Sequence, residues 1–129
     1  LCKLLIEEKS NRISLIGSDE DRSRIQINNN ERVLNLCGTI DLRQSAAMVS
    51  EADFIISNSS VCMHLAGAFK VPSLILLGAW YNSAKLHYKQ WGYPESIVSG
   101  KETISYKNSI TSVNTALKIV RQHFNIAND

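Results

Sequence analysis

The stretch FIISNSSVCMHLAGAFKVPSLILLG, residues 54–78, decides how this chain is read. An apolar run, Phe54-Ile55-Ile56, stops at four small polar residues, Ser57-Asn58-Ser59-Ser60. Residues 61–69 then have the composition of a helix. Val71-Pro72 ends that pattern, and Ser73–Leu77 is a second apolar run closed by Gly78. Apolar runs that do not alternate with polar residues mark parallel strands covered on both faces. A strand, a helix and a strand in this order are the repeating unit of such a sheet.

Working outward, the same unit recurs. Strands are predicted at 12–16, 33–36, 53–56 and 73–77, so their centres fall at a regular spacing with a helix in each gap. The helices are predicted over 1–9, over 18–28 and from Asp41, before the one at 61–69. Ser18 with Asp21, and Asp41 with Gln44, have the spacing of a capping box. Leu42, Ala46 and Val49 fall on one helical face. Residues 79–95 hold both tryptophans and three of the four tyrosines without a clean period, and read as a long aromatic loop. Ile97 and Val98 form a short last strand. Ile110, Val113, Leu117, Val120 and Phe124 follow a helical period, with Ser109 or Thr111 as cap. The expectation is one α/β domain over residues 1–129: a three-layer, Rossmann-like parallel sheet with helices on both faces.

Composition narrows the function classes. The chain has 129 residues, 44% hydrophobic and 20% charged, with a net charge of +2. That balance suits one globular core. The charge is too small for nucleic acid to be a main partner. No apolar run approaches the roughly 18–20 residues of a membrane span, and no secretory signal is visible. The chain opens on Leu1 inside a helical pattern, so it reads as a fragment of something larger. Cys2, Cys37 and Cys62 include no CxxC pair, which suggests reduced thiols in a cytoplasmic setting. A Cys62–His64 nucleophile is disfavoured, because residues two apart on a helix do not face each other. No HExxH, GxGxxG or GxxxxGK[ST] occurs, so neither a metal site nor a dinucleotide or P-loop fingerprint is expected.

Ligands of open parallel sheets bind beyond the carboxyl ends of the strands. Three such ends are legible: Gly17-Ser18-Asp19-Glu20-Asp21, Ser57-Asn58-Ser59-Ser60, and Gly78 onward. A helix starting near Ser60 would offer unpaired N–H groups and a positive dipole end to a phosphate. Equally, Ser59 and Ser60 would serve as helix caps. His64, in the first turn, is either a hydrogen-bonded structural residue or an anion contact. Asp21 or Glu20 would bind ribose hydroxyls, or simply complement the dipole of their helix.

The ordered set NLCG (35–38), DLRQSAA (41–47), ADFIISN (52–58), MHLAGA (63–68), VP (71–72) and LG (77–78) resembles the carboxyl-terminal half of glycosyltransferase family 9, the lipopolysaccharide heptosyltransferases and their relatives. The resemblance covers roughly residues 1–100. It implies the donor-binding half of a two-domain GT-B enzyme. Such an enzyme transfers a sugar with inversion and needs no metal or other cofactor. The implied donor is a nucleotide-diphosphate sugar, ADP-heptose or similar. A lipid-linked glycan acceptor and the catalytic base would belong to the other domain, so this half alone would be inactive. The setting implied is cytoplasmic, peripheral at the inner face of the membrane. The implied donor-site positions are Gly17, Glu20, Asp21, Ser59, Ser60, Val61, Met63, His64 and Gly78. Ser59 stands where the family has Asp, and Val61 where it has Gly. Those departures leave open a different donor, or a degenerate domain serving as a structural or protein-interaction module through its aromatic segment. A sugar-nucleotide epimerase half is a third reading, and the ordered motifs speak against it.

Overall fold

The computed structural model describes residues 1–7, 11–78, 80–100 and 111–123. Its elements run α1 (Cys2–Glu7), β1 (Ile13–Leu15), α2 (Asp19–Arg24), β2 (Val33–Asn35), α3 (Leu42–Ser50), β3 (Ile55–Ser57), α4 (Val61–Ala68), β4 (Ser73–Leu76), α5 (Ala84–Trp91), β5 (Ser96–Ser99) and α6 (Val113–His123). Every strand pairing is parallel, as the unbroken apolar runs require. The strands fall into two ladders, β1-β2 and β3-β4-β5. Ile13 lies opposite Val33, Ile55 opposite Ser73, and Ser73 opposite Ser96.

Three clusters of packed side chains define the layers. Leu5 of α1 and Ala116, Leu117 and Val120 of α6 pack on Leu74, with Ile13, Ile56, Leu76 and Ile97 around them. On the opposite face, Met63 of α4 and Ala84 of α5 pack on Ile75, Leu77 and Val98. Val49 of α3 and Ala66 of α4 pack on Val71, Ile55 and Ile16. Neighbouring residues of β4 thus serve opposite faces, and the arrangement is a Rossmann-like α/β fold with helices on both sides.

Local signals explain the boundaries. Both capping boxes form: Ser18 with Asp21 on α2, and Asp41 with Gln44 on α3. The helix from Ser18 is shorter than the expected 18–28, because Ile25 turns extended after Arg24. On α3, Val49 is buried but Leu42 is 63% exposed, so the predicted face is only partly covered. Gly38 has φ of +69°, and a Cβ there would overlap the Asp19 carboxylate, so this turn needs glycine. Lys70 also has positive φ, in the turn that closes α4 before Val71-Pro72.

Residues 79–95 are not one long loop. Ser83 accepts a hydrogen bond from Leu86 N and starts α5. Its inward positions are Ala84 and His87, so the apolar period was hidden by a histidine. Thr111 is not the cap of α6 either: its hydroxyl meets that of Ser99, and Ser112 accepts from Thr115 N instead. Ser109, Ile110 and Phe124 lie outside the described residues.

Candidate functional site

Two of the three strand ends expected to carry chemistry lie together, and Gly78 is not part of their cleft. Gly17, Asp21, Ser57, Asn58, Ser60 and Val61 line one cleft at and between the carboxyl ends of β1 and β3. Ser60 is the N-cap residue of α4, yet its side chain makes no cap hydrogen bond. Its Oγ lies 3.3 Å from Ser57 Oγ. The N-caps Ser18, Asp41 and Ser83 all accept from their helices. In α4 the corresponding donor, Met63 N, bonds to the Ser60 carbonyl instead, and the Val61 and Cys62 N–H groups of the first turn receive no side-chain cap. Val61 is the first helical residue, with no positive φ. Valine is therefore unstrained where the family has glycine. Its side chain is 52% exposed and forms part of the cleft wall.

Ser59 points elsewhere. Its Oγ is 2.8 Å from Nε2 of His87, which is 3% exposed, and Tyr81 packs edge-on against the imidazole at 4.9 Å. Burial holds the His87 pKa below its ordinary value, with the nearby His64 adding to the effect. Nδ1 of His87 is buried and has no partner among the described residues. An orphan N–H is rarer than an orphan acceptor, so the favoured tautomer carries its hydrogen on Nε2 and donates to Ser59. The Ser59 hydroxyl is then free to donate in turn.

A histidine with a lowered pKa in the fold binds its proton more readily when unfolded. Stability is then full above the ordinary histidine pKa and falls as pH drops below it towards the folded value. His87→Gln keeps a donor to Ser59 but cannot titrate. The expected result is a smaller drop in Tm from pH 7.5 to pH 5.5 in H87Q than in the parent. An equal drop in both would show that His87 is not the titrating group.

The remaining candidates divide. His64 is exposed, with Nδ1 2.7 Å from Tyr93 Oη and its ring edge-on to Trp91 and Tyr93. Gly67 allows Tyr93 to lie against α4, since a Cβ there would enter the tyrosine ring. Met63 is a core residue, 2% exposed. Asp21 lines the cleft but caps its own helix, and the Ser18 N–H and hydroxyl hold its carboxyl below the usual range. Glu20 pairs with Arg24 on the surface. Gly78 is exposed and accepts a turn bond from Tyr81 N. Burial raises the pKa of the Cys62 thiol, which argues against a thiolate beside His64. Among the described residues no group of three His, Cys, Asp or Glu side chains could hold a metal ion, and no helix is long and apolar enough to cross a membrane. Sequence reasoning missed His87 and Tyr93; the only signal was their place in the aromatic segment.

Parallel strands with helices on both faces define a Rossmann-like class of domain, in which ligands sit beyond the carboxyl ends of the strands. The model of glycosyltransferase family 9 (heptosyltransferase) matches residues 1–117, and the chain belongs to that family. Comparison with curated proteins and with solved structures gave no match. Membership makes this a glycosyltransferase domain, whose partners are a sugar donor and an acceptor.

Proposed function

We propose that the domain binds the nucleotide-diphosphate sugar of a heptosyltransferase-like enzyme, ADP-heptose or similar, with the diphosphate at the start of α4. The observation that carries this reading is the uncapped first turn at Ser60, beside a cleft that also reaches Gly17 and Asp21. Main-chain donors and the helix dipole favour an anion there. Ser59, turned towards His87, leaves a neutral residue at a position where the family has a carboxylate. Transfer would proceed with inversion to a lipid-linked acceptor held by a second domain, in bacterial lipopolysaccharide or surface-glycan synthesis at the cytoplasmic face. The residues present here would bind and orient the donor; the isolated domain would turn over no substrate.

Ligand-detected NMR with ADP, UDP, GDP and CDP tests this. The expected result is saturation transfer to ADP, lost in Ser60→Ala/His64→Ala. Because Ser60 makes no side-chain cap bond, Ser60→Ala alone should lose less than the ~1 kcal/mol of an ordinary cap deletion, and His64→Ala adds the loss of its Tyr93 contact. Preference for another base keeps the site and changes the donor. Silence from all four nucleotides favours a non-catalytic interaction module, for which the exposed Trp80, Leu86 and Trp91 are the contact surface to examine.

A further inference from the structure

Three serines stand where β3 meets α4, and none of them caps the helix. Ser57 Oγ donates to the Asn58 carbonyl at 2.9 Å. Ser60, the N-cap residue, is turned back to Ser57. Ser59 Oγ meets Nε2 of His87 at 2.8 Å. A serine beside a helix start ordinarily accepts from a main-chain N–H of the first turn, and Ser18, Ser83 and Ser112 all do so. The contacts of Ser57 and Ser60 lie within the turn and move with it. That of Ser59 reaches α5, 28 residues on, so it alone of the three ties the turn to another element.

His87 is a fixed point for that tie. It is 3% exposed, at an inward position of α5, with Tyr81 edge-on against its ring. Its Nδ1 has no partner among the described residues. A buried polar atom without a partner is costly, and packing alone would favour an aliphatic side chain at this position. The bond to Ser59 is what the imidazole offers in return.

The alternative partner for Ser59 is local. A serine hydroxyl readily accepts from the N–H groups two or three residues on. For Ser59 those belong to Val61 and Cys62, which carry no side-chain cap. A hydroxyl seated there would occupy the donors that an incoming phosphate needs. We infer that His87 is a positioning residue for the donor site, which holds the Ser59 hydroxyl away from the start of α4 and so keeps the Val61 and Cys62 N–H groups open to an anion. The role assigned to His87 rests on the donor reading, whereas the seat of Ser59 can be followed with no ligand present.

Amide NMR of the free chain and calorimetric titration with ADP test it together. His87→Leu removes the donor and fills the space. The Val61 and Cys62 amide signals are expected to move in H87L, and ADP binding to weaken about 5-fold, the cost of displacing an ordinary serine cap. Adding Ser59→Ala removes the hydroxyl that would intrude. S59A/H87L should therefore return both amides towards the parent and bind ADP within about 2-fold of it, a coupling that two independent losses would not show. His87→Gln, which keeps a donor to Ser59, should match the parent in both measurements. Amides and affinity unchanged in H87L overturn the inference. So does a loss in H87L that S59A/H87L fails to reverse, since His87 would then act through packing. Should the parent itself bind no ADP, the donor reading falls and the amides decide. Signals that move in H87L and return in S59A/H87L keep the positioning role, and signals that do not move overturn it. If H87L does not fold, His87→Met, a flexible side chain without a donor, takes its place in both measurements.

Discussion

Leu74→Ala is expected to lower stability by about 2–5 kcal/mol. Leu74 is fully buried, at 0% exposure, on β4, the central strand of the three-stranded ladder. Its side chain is the meeting point of α1 and α6, packed with Leu5, Ala116, Leu117 and Val120. Truncation removes the transfer energy of the lost carbons and leaves a cavity that cannot collapse, because the surrounding helices are held by other contacts. A domain of this size has only about 5–15 kcal/mol in all, so a large share is at stake. Urea unfolding followed by circular dichroism measures it: the midpoint should fall while the slope m stays constant. A loss under about 1 kcal/mol would mean that α1 and α6 do not pack on this strand as described.

The order of elements was legible because burial on both faces leaves an unmistakable pattern. Ile55-Ile56 and Leu74-Ile75-Leu76 are continuous because neighbours on one strand face opposite helical layers. Capping was legible because it is local chemistry: Ser18 with Asp21 and Asp41 with Gln44 sit three residues apart and bond as that spacing requires. α5 was not legible, because one of its two buried residues is His87 and its outer face carries Leu86, Tyr88 and Trp91. A pattern read by hydrophobicity inverts there. Nor could strand spacing show that β1-β2 and β3-β4-β5 form separate ladders. Strand spacing along the chain fixes neither which strands adjoin nor which edges stay free, since both depend on contacts distant in sequence.

At the candidate site the same division holds. The end of β3 and the start of α4 were visible as Ser57–Ser60, and the structure places Ser60 and Val61 on the cleft with Gly17 and Asp21. The partner of Ser59 lies 28 residues on, in α5. No local pattern announces such a pair. Met63 matched a family position, yet it fills the core, because a helix so close to the sheet must bury one face and residue 63 lies on it. Membership and contact are separate properties of a motif residue: the first follows from sequence order, the second from which way the helix turns.

Val61→Asp should separate ligand binding from stability. Residue 61 is the first of α4, half-exposed, on the cleft. A carboxylate in the first helical turn complements the dipole, contributing about 0.3–1 kcal/mol, so the variant should be at least as stable as the parent. A diphosphate at the same terminus would meet that carboxylate as a like charge. At ~5 Å and an effective dielectric constant of ~20 the repulsion is about 3 kcal/mol. Solvent screening at a half-exposed position reduces this to about 1.5–2 kcal/mol. That corresponds to roughly 10- to 30-fold weaker ADP binding. Val61→Asn, of similar size and neutral, should bind within about 3-fold of the parent, and added salt should restore part of the loss in V61D but not change V61N. Calorimetric titration with ADP at two salt concentrations measures all three chains. Equal affinity for parent and V61D would remove the α4 terminus from consideration as the phosphate site. Loss of binding accompanied by a fall in Tm would mean that the substitution acts through folding rather than charge.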